Sequence, residues 1–70
     1  MGRREYMGLL SSVGNQLLLC NKRLSKLIEP LIRAQDSEMM NMLITAMAYI
    51  QKSNELLLKM YEKIKGVSEQ

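Results

Sequence analysis

The sequence predicts an all-α protein, an antiparallel helical hairpin that dimerises into a four-helix bundle. Three observations predict it. Large apolar residues recur every seven positions in both halves of the chain, the register breaks once near the middle, and more positions are apolar than one hairpin can bury.

The chain has 70 residues, 47% of them hydrophobic and 24% charged, a balance that belongs to a folded protein and not to a disordered one. At this length a lone core seldom supplies more than about 3–5 kcal/mol of net stability, so a staple is expected. Cys20 is the single cysteine and there is no histidine, which excludes a disulfide framework and a histidine-based metal site. Self-association is the staple that remains.

The first helix is expected over residues 4–34. Leu10, Leu17, Leu24 and Leu31 form a ladder of period seven, and Tyr6, Val13, Cys20 and Leu27 supply the second series of an a/d pattern. Gly8 and Gly14 each cost about 1 kcal/mol of helix propensity, so the first dozen residues are expected to fray or start late. Pro30 lacks an amide proton and crowds the carbonyl of Lys26, which predicts a kink or break close to Ile28 or Glu29.

The turn is placed at residues 35–36. Asp36 or Ser37 can accept hydrogen bonds from the orphan amides of a new helix, and Glu38 suits its positive end. The second helix follows over residues 37–65, with Leu43, Ile50, Leu57 and Ile64 in one series and Met39, Ala46, Ser53, Met60 and Val67 in the other. Gly66 is a natural stop behind Lys63 and Lys65, leaving a short tail, so residues 1–70 read as one hairpin domain. A reversal centred on Gln35 makes facing positions sum to about 70, which sets Leu24 opposite Ala46 and Leu17 opposite Ser53 in large-small layers. The expected hairpin and dimer core is Leu10, Val13, Leu17, Cys20, Leu24, Leu27, Leu31, Leu43, Met47, Ile50, Leu57, Met60 and Ile64.

Flanking positions are apolar as well. Leu9, Leu18, Leu19, Ile28 and Ile32 in the first helix, and Met40, Met42, Ile44, Tyr49, Leu56, Leu58 and Tyr61 in the second, need cover. Each large side chain left in water forgoes roughly 1.5–3 kcal/mol. A second copy related by a two-fold axis is the simplest cover. The methionines Met39, Met40, Met42 and Met47 would also suit a groove for a different protein, because thioethers adapt to irregular surfaces.

Chemistry is sparsely represented. No catalytic, cofactor-binding or metal-ligating residues are assigned and no small-molecule substrate is expected. The commonest general base is missing, Cys20 falls on the expected buried seam, and Gly8 and Gly14 make no phosphate loop. The longest charge-free runs, Tyr6 to Asn21 and Met39 to Gln51, are shorter than a membrane span of roughly 18 apolar residues and hold Ser, Asn and Gln. No membrane insertion is expected, and one unpaired cysteine points to a reducing cytoplasm.

Lys22, Arg23, Lys26 and Arg33 form the exposed candidate surface for a charged partner, with Lys22, Lys26 and Arg33 on one outward strip. A symmetric dimer presents that strip twice, which would suit a phosphate backbone. Such a bundle would resemble, in architecture alone, the Rop-type plasmid copy-control proteins, whose dimeric helical hairpins bind RNA; no motif is shared, and the net charge here is only +3. The functional expectation is a non-enzymatic, cytoplasmic, homodimeric adaptor or small regulator that binds another protein, with nucleic-acid binding as the alternative.

Overall fold

The computed structural model describes residues 2–69, with side chains through residue 66. Among these residues all regular structure is helical: α1 (Arg3–Leu24), a 3-10 turn (Ser25–Leu27), α2 (Ile28–Ala34) and α3 (Ser37–Glu69). The 33 residues of α3 alone should span about 50 Å at the α-helical rise. The whole molecule measures 53 × 16 × 14 Å, so α1 and α2 must lie beside α3 and not beyond it.

At the start of α1 the Gly2 carbonyl accepts hydrogen bonds from the amides of Glu5 and Tyr6, both at 3.1 Å. The helix then runs unbroken from Arg3 through Gly8 and Gly14, contrary to the fraying expected of two glycines. Packing against α3 outweighs the propensity loss, since Met7, Leu10 and Val13 are already partly covered there.

The expected distortion ahead of Pro30 takes the form of the 3-10 turn, which lies slightly upstream, at Ser25–Leu27. The proline becomes the third residue of α2, where an amide proton would have no intrahelical partner in any case. The Ser25 hydroxyl donates to the Lys22 carbonyl at 2.6 Å and so satisfies one acceptor at the end of α1.

Reversal of the chain takes two residues. Gln35 adopts φ 56°, ψ 33°, the left-handed conformation, and is the one non-glycine residue with positive φ among those described. Its amide donates to the Ile32 carbonyl at 3.1 Å while the amide of Asp36 reaches back to the Leu31 carbonyl at 3.3 Å. That pair of bonds is a Schellman motif. The Asp36 carboxylate then accepts from the Met39 amide at 3.0 Å, which makes Asp36 the N-cap of α3. One residue thus closes the first arm with its backbone and opens the second with its side chain. At the far end α3 passes straight through Gly66 to Glu69; the glycine lies in open space with ordinary negative φ.

The covered side chains define the seam between the arms. In the first arm they include Met7, Leu10, Gly14, Leu17, Asn21, Leu24, Ile28 and Leu31; in the second, Met40, Leu43, Met47, Ile50, Asn54, Leu57, Tyr61 and Ile64. Intervals of three and four alternate in both sets, so this is an a/d heptad seam. The ladders Leu10–Leu31 and Leu43–Ile64 occupy the d positions. Their companions at a sit one residue beyond the series expected from sequence. Of the expected core, Cys20, Leu27 and Met60 are therefore exposed in the single hairpin, while Val13 is partly covered like Leu10 and Leu17 although it lies off the seam. Tyr6, Met39, Ala46 and Ser53 are displaced to the same flank, while the side chain of Val67 lies outside the described residues.

Two contacts show why the seam settles there. Asn21 donates its Nδ2 proton to the Met47 carbonyl at 3.3 Å. A Cβ on Gly14 would lie 3.0 Å from Asn54 Oδ1, so only glycine lets α3 approach this closely without displacing Asn54. These pairs sum to 68, a shift of two positions from the register expected for a reversal centred on Gln35.

Candidate interaction surface

The seam leaves most of the apolar material uncovered. Leu43, at 7% exposure, is the one hydrophobic residue that counts as buried among those described. Thirteen large hydrophobic side chains are exposed, Tyr49 the most at 71%. The accessible surface is 5778 Å², whereas a compact monomer of 8.1 kDa should expose only about 4,500 Å².

The exposed residues divide between two faces. Because the arms run in opposite directions, the same flank of each heptad meets on the same side of the pair. Ser11 and Leu18 from the e flank of α1, and Leu58 from the e flank of α3, accordingly line one shallow cleft of about 310 Å³, with Gly14 and Asn54 at its floor. That face is mixed: next to it in the b positions stand Asn15, Lys22, Glu29, Glu55 and Glu62, all exposed or polar.

The opposite face carries the g positions. Tyr6, Val13, Cys20 and Leu27 come from the first arm and Met39, Ala46, Ser53 and Met60 from the second; no g position from Tyr6 to Met60 is charged. The adjoining c positions add Leu9, Met42, Tyr49 and Leu56. Eight of the thirteen exposed large hydrophobics lie on this g/c face, against four on the e flank.

The basic residues cluster toward the end of the first arm, Lys22 beside the e flank and Arg23 in a c position. Lys22 and Arg23 end α1 and Lys26 lies in the 3-10 turn, all exposed, where they also complement the negative end of the helix dipole. Arg33 is engaged by Glu29 at 3.2 Å, an ion pair so exposed (71% and 81%) that it contributes little. Lys22, Arg23 and Lys26 have no acidic partner among the described residues, so three of the four expected basic side chains are available together.

Sequence reasoning passed over three residues that shape the site: Gly14, Asn21 and Asn54. Asn21 Oδ1 is buried without a hydrogen-bond partner, an uncommon situation that carries a cost of roughly 1–3 kcal/mol. The sequence carried only a positional hint. Asn21 and Asn54 each fall four residues beyond a ladder residue, Leu17 and Ile50, and Gly14 stands in the same relation to Leu10.

Among the described residues no three His, Cys, Asp or Glu side chains gather as a metal-binding group. No described helix is long and apolar enough to cross a membrane. Set against known protein families, curated proteins and solved structures, the chain matches none of them.

Proposed function

We propose that this chain is a non-enzymatic, cytoplasmic helical hairpin that dimerises into a four-helix bundle and acts as an adaptor or small regulator by binding another protein. The observation that carries the reading is the imbalance between one buried hydrophobic residue and thirteen large exposed ones. Two chains merged into one compact body would expose about 7,500 Å², so association removes up to about 4,000 Å² from the two surfaces of 5778 Å². That lies within the roughly 2,000–5,000 Å² range of obligate homodimers. The e flank, with Leu18 and Leu58 at the cleft and Ile44 farther along, stays outside such a body and is the surface offered to a partner protein.

The test is the concentration dependence of thermal unfolding. A chain that folds only by associating melts at higher temperature as concentration rises. The Ile50→Asp variant, which places a charge in the seam, loses helicity and association together. A melting temperature independent of concentration over a hundredfold range removes the self-association argument.

Nucleic-acid binding is the second reading, favoured by the unpaired cluster Lys22, Arg23 and Lys26. It requires retardation of duplex DNA or structured RNA that weakens steeply with salt and falls when the three residues become Gln. No retardation at low salt leaves the protein-binding reading alone.

A further inference from the structure

Resting on the self-association reading, we infer that the uncharged g face is where the second copy docks, with the two-fold axis passing through it, and that the e face with its cleft stays outside.

Three independent features of the seam point to the same side. A four-helix bundle centres its core between the d position and whichever flank meets the second pair. Here every d residue of both arms is Leu or Ile: Leu10, Leu17, Leu24, Leu31 in one, Leu43, Ile50, Leu57, Ile64 in the other. All but Leu43 remain partly exposed, as the a residues do, so what sets the d edge apart is that it is an unbroken aliphatic ridge. The a edge, which leans toward the e flank, instead contains Gly14, Asn21 and Asn54. Wrapping a second copy over that side would bury more unpaired amide in addition to the Asn21 oxygen.

Charge gives the same answer. The g flank is free of ionisable side chains from Tyr6 to Leu27 and from Met39 to Met60 apart from the Tyr6 phenol and the Cys20 thiol, and the c positions that border it carry two charges, Arg23 and Lys63, whereas the b positions that border the e flank carry four, Lys22, Glu29, Glu55 and Glu62. A charge buried without a partner opposes association strongly. Side-chain size is the third feature. Val13, Cys20, Ala46 and Ser53 occupy the middle of the g face and are small, while Tyr6, Leu27, Met39 and Met60 stand at its ends. Small central residues allow the helices of two pairs to approach closely. A second copy is the occupant because merging two chains of 5778 Å² into one compact body removes up to about 4,000 Å², the burial expected of an obligate homodimer.

Cys20 reports on this face without any change to the protein. In the dimer its thiol is covered, so alkylation by a maleimide is at least tenfold slower at concentrations where sedimentation shows dimer than in the chain unfolded by guanidinium. A thiol moved to the e face, in Cys20→Ser/Ser11→Cys, reacts at the unprotected rate in the same dimer. Ala46→Arg, on the g face, raises the dimer dissociation constant at least a hundredfold; Ala48→Arg, on the side of the e flank, leaves it within threefold. A dimer whose Cys20 reacts freely, or whose Ser11→Cys thiol is the protected one, overturns the choice of face while self-association stands. A chain that sediments as a monomer at every concentration overturns both. The wild-type thiol measurement decides the matter even where Ala46→Arg fails to fold.

Discussion

Replacing Gln35 by glycine should stabilise the protein, and the size of the effect follows from the turn. At φ 56° Gln35 holds a left-handed conformation that costs an L-residue about 1–2 kcal/mol, because its Cβ crowds the following carbonyl. Glycine escapes that crowding but regains freedom in the unfolded chain, which takes back about 0.4–1 kcal/mol. Taken at their central values the two terms leave a net gain of about 0.8 kcal/mol per chain, or roughly 3–6 °C in melting temperature for a domain of this size. The assay is thermal unfolding followed by circular dichroism at one fixed protein concentration, since association would otherwise move the midpoint. Gln35→Val, a β-branched residue at positive φ, should move it in the opposite direction. A Gln35→Gly midpoint at or below that of the wild type refutes the reasoning, because the two bonds to Ile32 and Leu31 would then not depend on a strained residue.

Asp36→Ala removes the cap on the Met39 amide and should cost about 1 kcal/mol in denaturant unfolding, while Asp36→Asn, which keeps the acceptor, should recover most of it. Gly8→Ala should stabilise by about 0.5–1 kcal/mol because its Cβ meets open space, but Gly14→Ala should gain nothing, since its Cβ meets Asn54 Oδ1 at 3.0 Å. Adding Asn54→Ala to Gly14→Ala should restore the missing gain, and a Gly14→Ala protein as improved as Gly8→Ala would show that the arms do not approach there. Asn21→Leu removes a buried unpaired oxygen and should raise the melting temperature while broadening the oligomer distribution in native mass spectrometry, because a polar a residue fixes register at the expense of stability.

The leucine ladders could be read from the sequence because a large aliphatic residue at every seventh position has few explanations other than a buried stripe. The companion series could not be fixed in the same way. Three residues past the ladder positions Leu10, Leu17, Leu24, Leu43, Ile50 and Leu57 stand Val13, Cys20, Leu27, Ala46, Ser53 and Met60, and four past stand Gly14, Asn21, Ile28, Met47, Asn54 and Tyr61. Composition favours the first set, but the close approach of Asn54 at Gly14 and the hydrogen bond from the Asn21 side chain to the Met47 carbonyl belong to the second, and apolarity carries no information about such contacts. The same one-residue ambiguity concealed the division into two faces, since residues assigned to the seam turned out to form the outer apolar face. Distortion ahead of Pro30 and the helix start after Asp36 depend on local backbone chemistry and were accordingly visible, whereas Gly66 as a terminator was not, because a glycine ends a helix only where the chain adopts positive φ there.

Sedimentation equilibrium of the full chain at micromolar concentration, alongside its helical content, bears most directly on the central claim that one hairpin cannot cover its own apolar surface. A mass of twice the 8.1 kDa of a single chain is expected, with helicity lost on dilution as the dimer dissociates. A fully helical species of one chain's mass, stable on dilution, would contradict it.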